Sequence, residues 1–314
     1  MTPSRTDQSD KLPGGSYPAM LTAFQDDGAI DWDGVDRLTD HCIEAGAAGI
    51  FAGGLSAEIR EMDDEEKGAL AERVVRRAAG RVPVVAGAIV WGPLDRQAEL
   101  IRRVHGAGAD AVSVAVSQLA GQDEDDQAWI ENAGMLLDRI PEDVRLAMYE
   151  CPAPYHRLLS DETIVWAAQS ERFCFLKDTS CNIETIRRRL DLIRGTRLQL
   201  LNANTRTLLA SLRAGAEGFC GIGANYMPEL FAWLCRHFED QPDVATKLHE
   251  FMDSWLDLQE SEFYPASAKE YLRQRGLDIG QFSRKPRSEL PSSFAERLAG
   301  MRVAEGQWLD RLIG

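Results

Sequence analysis

Short apolar runs alternate with amphipathic segments along most of the chain, beginning at Tyr17. The runs are continuous, which is typical of parallel strands that are buried on both faces. The segments between them repeat apolar residues every three or four positions, as Val35, Leu38 and Cys42 do, and this spacing indicates helices with one buried face. The pattern predicts eight strands, at residues 17–23, 49–53, 82–88, 111–116, 145–149, 173–177, 198–201 and 218–222.

Local start signals mark several of the helices that follow these strands. Asp63 precedes Glu66 by three residues, which is the spacing of a capping box. Ser160 stands before two acidic residues and suits an N-cap, and Pro228 suits a first helical position. Together with the periodicity, these signals predict a helix after each strand.

Eight strand–helix units in βαβα order favour a closed parallel barrel. An open doubly wound sheet is the alternative, but it usually has a glycine-rich turn after its first strand, and residues 22–24 (Thr-Ala-Phe) form no such turn. We therefore predict an α/β fold, a TIM (β/α)8 barrel over residues 16–240. A disordered polar tail (1–15) would precede it, and a C-terminal helical appendage (241–314) would pack on it, with helices at 244–258, 267–275 and 292–312.

Composition narrows the class of protein. The net charge of −15 argues against nucleic acid or an anionic membrane as a partner. No apolar stretch is long enough to span a membrane, and residues 1–15 lack the apolar core of a signal peptide. Six cysteines without CxxC spacing indicate free thiols in a reducing compartment, so we expect a cytoplasmic protein. The histidine spacing predicts no metal site, and no nucleotide-binding loop is present, so no cofactor is expected.

Lys177 is the first candidate for chemistry. The chain has six lysines against twenty-nine arginines, and Lys177 alone closes an apolar strand, whereas the others lie in polar or helical segments. Burying an ammonium group is costly and favours the neutral amine, which is the nucleophile of Schiff-base catalysis. The alternative is a lysine whose stem is buried while its ammonium reaches water at the strand end.

In such a barrel the active site lies at the C-terminal ends of the strands. Tyr149 ends the fifth strand and Ser56 follows the second, so both can meet Lys177 in one mouth. A tyrosine hydroxyl beside an amine can carry protons during imine formation, and a serine can extend that relay. The predicted catalytic residues are thus Lys177, Tyr149 and Ser56. The predicted substrate-binding residues are Gly54, Leu55, Ser56, Asn202, Cys220, Ile222, Tyr155 and His156.

A structural role is the alternative for several of these residues. A buried tyrosine with a satisfied hydroxyl would explain Tyr149 equally well, and a turn cap would explain Ser56. Glu58 has three alternatives: catalysis, a salt bridge, or support of the loop backbone. Asp178 follows Lys177 and therefore points to the other side of the strand, so we predict a structural role for it.

Five short motifs lie in order at the strand ends and loops: Gly54-Leu55-Ser56-Ala57-Glu58, Tyr149-Glu150-Cys151-Pro152, Leu176-Lys177-Asp178-Thr179-Ser180, Gly215-Ala216-Glu217-Gly218 and Pro265-Ala266-Ser267-Ala268-Lys269. With their spacing, the chain from about Gly15 to about Leu290 resembles the dihydrodipicolinate synthase and N-acetylneuraminate lyase superfamily of pyruvate-dependent class I aldolases. The resemblance implies a Schiff base on Lys177, a proton-carrying Tyr149, and a loop at 54–56 that binds the substrate carboxylate. It also implies a 2-oxo acid and an aldehyde as substrates and a homo-oligomer, either a homotetramer or a dimer.

The departures from the family pattern concern the second substrate. Leu119 stands where the family often has a tyrosine that reaches a neighbouring subunit's site, and Pro154 stands where the synthase has an arginine for the aldehyde's carboxylate. The loop threonines are replaced by Leu55 and Ser56. We therefore expect an aldolase or lyase that uses another, less charged aldehyde and is not a true dihydrodipicolinate synthase. The alternatives are a 2-oxo acid dehydratase of the same family and a non-catalytic barrel that binds a keto acid.

Overall fold

The computed structural model describes residues 11–285 and 289–313. Its centre is a sheet of eight parallel strands in the order β1-β8-β7-β6-β5-β4-β3-β2, so each strand from β2 to β8 lies beside its sequence neighbour and β1 pairs with β8. The strands are β1 (Gly15–Ser16), β2 (Ile50–Ala52), β3 (Val84–Gly87), β4 (Ala111–Ala115), β5 (Leu146–Tyr149), β6 (Phe173–Asp178), β7 (Gln199–Asn202) and β8 (Gly218–Phe219). The predicted TIM-barrel class is confirmed.

The two ends of the sheet meet through the segment after β1. The Met20 N–H donates to the Phe51 carbonyl at 2.9 Å, and the Phe51 N–H donates to the Pro18 carbonyl at 3.1 Å. We predicted a first strand over 17–23, and that prediction was wrong in position and extent: β1 is Gly15–Ser16, and of residues 17–23 only Ala19 forms an isolated bridge, with Phe51. Pro18 has no N–H to donate, which interrupts the ladder at this point.

Helices cover the outside of the barrel. Asp63 and Glu66 form the predicted capping box, and the Ser160 hydroxyl accepts from the Thr163 N–H, so both predicted helix starts are confirmed. The helices are α1 (Trp32–Glu44), α2 (Asp64–Ala78), α3 (Leu94–Gly106), α4 (Asp126–Leu137), α5 (Asp161–Gln169), α6 (Ile183–Leu192), α7 (Leu208–Arg213) and α8 (Pro228–His237).

Four further helices follow the barrel: α9 (Pro242–Ser254), α10 (Leu256–Gln259), α11 (Ala266–Gln274) and α12 (Ser292–Ile313). The predicted helix at 244–258 is two helices, separated at Trp255. The Ser267 hydroxyl of α11 hydrogen-bonds the Tyr226 hydroxyl at 2.8 Å, beside the start of α8. The C-terminal helices thus contact the barrel at its C-terminal end. Over the described ranges, no helix is both long and apolar enough to cross a membrane.

The N-terminal segment joins the fold earlier than the sequence predicted. Residues 1–10 of the predicted tail lie outside the described residues, but the backbone of Leu12 exchanges two hydrogen bonds with the Gln199 amide, both at 2.9 Å. The Leu12 side chain is buried. The predicted disorder up to residue 15 is therefore wrong for 11–15, because Gln199 supplies partners that a local polar pattern does not reveal.

Candidate active site

Lys177 lies inside the barrel at the end of β6. The sheet register pairs it with Tyr149 of β5, so the two side chains share one face. Lys177 Nζ lies 4.3 Å from the Tyr149 ring centroid and 4.6 Å from that of Phe51. Phe51 in turn packs on Phe175, two residues before Lys177, which completes an aromatic floor. Because only 4% of Lys177 is exposed, its amine is enclosed by these rings.

The surroundings of Lys177 Nζ contain aromatic rings and thiols and no carboxylate partner among the described residues. Within the described ranges, no carboxylate forms an ion pair with Lys177 Nζ. The nearby thiols of Cys151 and Cys220 are both buried. Burial raises the pKa of Cys220 to about 11, and the Lys177 charge opposes that rise at both thiols. The Lys177 nitrogen is therefore not tied to a carboxylate and is available for bonding to carbon.

The Tyr149 hydroxyl remains a proton donor in this environment. Burial raises the pKa of Tyr149 well above its usual value, and neighbouring Cys151, Cys220 and Tyr264 add to the shift. The described hydrogen bond of this hydroxyl joins it to Cys151. A direct link from Tyr149 to Lys177 and Ser56, which the sequence led us to expect, stays a prediction.

Ser56 lies in a short 3-10 turn, Leu55–Ala57, directly after β2. The turn can approach the aromatic floor because Gly54 has no side chain: a Cβ there would lie 2.8 Å from the Phe51 ring. Ser56 is buried and shares a hydrogen bond with the Tyr264 hydroxyl. Tyr264 lies between α10 and α11, and sequence reasoning missed it because nothing local separates it from other aromatic residues in helical segments.

Three of the predicted binding residues differ in where they point. Asn202 faces the helices, where its Nδ2 donates to the hydroxyls of Thr207 at 2.9 Å and Ser211 at 3.0 Å. The structure therefore places Asn202 behind the sheet, away from Lys177. Cys220 follows β8 and lies near Lys177, and Ile222 begins the 3-10 turn Ile222–Asn225 that extends from the same strand end.

The other two predicted binding residues lie in the loop after β5. The Tyr155 hydroxyl donates to the carbonyl of Ser117 at 3.0 Å and contacts that of Ala120, so it ties its loop to the loop after β4. His156 Nε2 lies 2.8 Å from the Thr179 hydroxyl, two residues beyond Lys177. Only His156 therefore contacts the end of β6.

A buried ion cluster holds the ends of β5 and β6 on the side away from Lys177. Arg189 of α6 donates to Glu150 at 2.6 Å and contacts Asp178, and all three side chains are at most 1% exposed. Glu150 also accepts from the backbone N–H of Thr179 at 3.0 Å. Glu150 directly follows Tyr149, and Asp178 directly follows Lys177. The cluster therefore holds the ends of β5 and β6 at a fixed position relative to each other. The predicted structural role of Asp178 is confirmed.

Glu58 ties the loop after β2 to the C-terminal helices. Its carboxylate accepts from Lys269 Nζ at 2.7 Å, from the Ser283 hydroxyl at 2.8 Å and from the Arg284 N–H at 2.6 Å. Of its three alternatives, the salt bridge and support of the backbone are thus realised together. The sequence suggested that Lys177 alone is delivered into the interior. That expectation was wrong, because Lys269 is 0% exposed.

The cation nearest to Pro154 in the sequence, Arg157, is already paired. Leu119 is buried. Arg157, three residues beyond Pro154, donates to the Glu124 carbonyl at 2.8 Å and to Asp126 at 2.9 Å. The Arg157 guanidinium therefore already binds the loop after β4 and the start of α4. Among the described residues, no group of three or more His, Cys, Asp or Glu side chains is arranged to hold a metal ion.

The chain was compared with protein families and with known proteins. The model of the dihydrodipicolinate synthetase family matches residues 12–301. The 4-hydroxy-tetrahydrodipicolinate synthase of Marinobacter nauticus is 28% identical over 294 residues, which is 93% of this chain and 98% of that protein. The Neisseria gonorrhoeae synthase is 28% identical over 298 residues, covering 93% and 99%.

Solved structures show the same fold. The structure of YagE, a family protein from E. coli K12 in complex with pyruvate, matches with a TM-score of 0.84 at 22% identity, covering 93% of this chain and 98% of that one. The chloride-inhibited synthase of Acinetobacter baumannii, complexed with pyruvate, matches with the same TM-score and identity, covering 93% and 99%. Because the family model spans nearly the whole chain, this protein belongs to the dihydrodipicolinate synthetase family, whose members are class I aldolases and lyases.

Proposed function

We propose that the protein forms a Schiff base between Lys177 and pyruvate or a related 2-oxo acid, and then joins that acid to an aldehyde or cleaves the reverse adduct. The observation that carries the proposal is the Lys177 amine, buried against Tyr149 and Phe51 without an ion-pair partner in the described part of the chain. The pyruvate held by two structural relatives supports the substrate class.

The residues suggest a sequence of steps. The Lys177 nitrogen attacks C2 of the 2-oxo acid, so a C–N bond forms and the carbonyl oxygen takes a proton. Loss of that oxygen as water gives the imine, and loss of a C3 proton gives the enamine that adds to an aldehyde. Tyr149 is suited to carry these protons, because burial keeps its hydroxyl protonated and its ring lies against the amine.

The loop after β2 is suited to hold the acid's carboxylate. The N–H groups of Leu55 and Ser56 open the 3-10 turn and have no acceptor within it, and the Ser56 hydroxyl lies beside them. A carboxylate bound there would direct C2 towards Lys177.

We further propose that the aldehyde is not aspartate semialdehyde. Pro154 offers neither charge nor donor, Leu119 is apolar, and Arg157 is already paired with Asp126. An aldehyde without a second carboxylate fits such an entrance better, since no desolvated anion then lacks a partner.

The same proposal includes a homo-oligomer in the cytoplasm. All six cysteines lie in the described part of the chain, and all are free thiols. Free thiols support a reducing compartment. The oligomer rests on the family resemblance.

The test is exchange of the C3 protons of pyruvate in D2O, followed by NMR, because enamine formation on the protein speeds that exchange and needs no aldehyde, and the Lys177→Ala variant reports any exchange by direct enolisation. We expect exchange with the wild-type protein and none with Lys177→Ala. If pyruvate raises the Tm but no exchange occurs, the protein is a non-catalytic keto-acid barrel. If no 2-oxo acid binds or exchanges, the proposed substrate class is wrong.

A further inference from the structure

Tyr264 lies beside the active site although it comes from the C-terminal helices, about ninety residues after Lys177 in sequence. Its hydroxyl contacts two residues of the barrel mouth: Asn225 of the turn after β8 and Ser56 of the turn after β2. It also adds to the rise in the pKa of Tyr149 that burial causes. No motif of the chain drew attention to this position.

The hydrogen bonds of Asn225 fix the direction of the bond to Tyr264. Asn225 Nδ2 lies 2.7 Å from the Ala19 carbonyl, which can only accept, so the atom at that position must be the nitrogen. The same Nδ2 lies 2.8 Å from the Tyr264 hydroxyl and has a second hydrogen to donate. The Tyr264 oxygen is therefore an acceptor towards Asn225.

A phenol has one proton, so Tyr264 can donate it to the remaining partner, the oxygen of Ser56. Burial raises the pKa of Tyr264, which keeps that proton in place. A serine oxygen that accepts from Tyr264 directs its own proton elsewhere. Ser56 follows β2 at the same edge of the sheet at which Tyr149 ends β5 and Lys177 lies in β6, so the mouth of the barrel is the side on which a substrate would meet that proton.

We propose that Tyr264 is a positioning residue of the active site, which holds the Ser56 hydroxyl as a donor towards the bound 2-oxo acid. The inference rests on the proposed function and extends it to a residue outside the barrel. It makes the C-terminal helices part of the site: Asn225 orients Tyr264, Tyr264 orients Ser56, and Ser56 meets the substrate.

The test is a double-mutant cycle on the rate of pyruvate C3 exchange, with Ser56→Ala, Tyr264→Phe and the double variant. We expect Tyr264→Phe to lower the rate about tenfold to a hundredfold, the range for one or two lost hydrogen bonds to a reacting ligand. In the Ser56→Ala background the same change should have no further effect, because Tyr264 acts through Ser56. Losses that multiply in the double variant would show an independent structural role and overturn the inference.

Tyr226→Phe is the matched control. Tyr226 is a buried tyrosine whose ring centroid lies 6.3 Å from that of Tyr264, but its hydroxyl binds Ser267 and the Gln259 carbonyl and not Ser56. Removal of that hydroxyl should leave the exchange rate within about twofold. An equal loss in Tyr226→Phe and Tyr264→Phe would mean that the whole tyrosine cluster acts only through packing.

Asn225→Asp tests the direction of the hydrogen bonds while keeping both hydroxyls. A carboxylate at this position would accept the Tyr264 proton and draw it away from Ser56, so we expect a loss as large as that of Tyr264→Phe in protein that urea unfolding shows to be folded. Full activity of Asn225→Asp contradicts the inference. If the wild-type protein exchanges pyruvate protons and Tyr264→Phe does so equally fast, the inference fails and the proposed function stands. If the wild type does not exchange them, both fail.

Discussion

Two buried lysines of this chain lie against aromatic rings and differ in what balances their charge. Lys177 Nζ lies 4.3 Å from the Tyr149 ring centroid, and Lys269 Nζ lies 4.5 Å from that of Phe24. Lys269 also donates to Glu58 and to the Phe282 carbonyl, both at 2.7 Å. In the described part of the chain, Lys177 has no carboxylate partner of this kind.

Under the proposed function, this difference separates a structural lysine, Lys269, from the reactive one, Lys177. A cation–π contact contributes about 0.5–2 kcal/mol, whereas breaking a buried ion pair from one side costs about 3–5 kcal/mol. Lys269 therefore stabilises the junction between the β2 loop and α11, and two acceptors hold its nitrogen in place. Lys177 contributes little to that kind of stability, and its nitrogen remains available for bonding to carbon.

Lys177→Met gives the largest expected effect, on activity alone. Turnover should fall at least about ten-thousandfold, since the nucleophile is lost. The free energy of unfolding should stay equal or rise, because an apolar side chain of similar length replaces a buried charge that has no carboxylate partner. Pyruvate exchange and urea unfolding measure the two. Lys177→Arg should also be inactive, because guanidinium stays protonated. Measurable turnover in either variant would show that another group is the nucleophile.

Tyr149→Phe removes the Tyr149 hydroxyl and keeps the aromatic ring that lies against Lys177, so it tests the two groups separately. The ring contact should survive, and turnover should fall about a hundred- to ten-thousandfold, the usual range for a proton-transfer group. Tyr17→Phe is the control, because Tyr17 also lies in the barrel interior but donates to the Pro13 carbonyl at 2.8 Å. Steady-state kinetics compares the two variants. Near wild-type turnover in Tyr149→Phe would remove Tyr149 from the proton path.

Lys269→Met should show the reverse pattern to Lys177→Met. It leaves the Glu58 carboxylate buried without its ammonium partner, so the free energy of unfolding should fall by about 3–5 kcal/mol. The added change Glu58→Gln removes the uncompensated charge and should restore part of that loss. Urea unfolding of the single and double variants measures both values. A Lys269→Met protein as stable as wild type would contradict the distinction between the two lysines.

Arg157 resembles Lys269, because its charge is already paired with a carboxylate, that of Asp126. The comparison therefore also predicts which aldehydes the protein prefers. A carboxylate at the entrance would lose a charge-assisted hydrogen bond of about 1.5–3 kcal/mol, so kcat/KM for aspartate semialdehyde should be about ten- to a hundredfold below that of the preferred aldehyde. The assay compares it with sugar-derived and aromatic aldehydes at saturating pyruvate. If aspartate semialdehyde is the best partner, the protein is an ordinary synthase.

The sequence predicted the barrel and the Lys177–Tyr149 pair because both depend on short-range patterns. Continuous apolar runs identify buried strands, and parallel strand ends meet at one edge. Asn202 shows the limit of this reasoning: it follows Leu201 by one residue, and one residue is enough to turn a side chain to the other face of a sheet.

Contacts between residues far apart in the sequence could not be predicted from local patterns. Lys269 lies on a helix among polar residues, and the carboxylate that makes its burial possible, Glu58, is 211 residues earlier. Tyr264 likewise lies beside Ser56 and Asn225 only in the folded chain, where the segment before α11 meets the turns that carry them. Local periodicity contains no information about such pairs.

Borohydride reduction in the presence of pyruvate, followed by mass spectrometry of the peptides, tests the central claim most directly, because it asks which lysine forms the imine. The stable adduct should appear on the peptide that contains Lys177, and the peptide that contains Lys269 should remain unmodified. Absence of an adduct with every 2-oxo acid tried, or an adduct that persists in Lys177→Ala, would contradict the assignment of Lys177 as the Schiff-base residue.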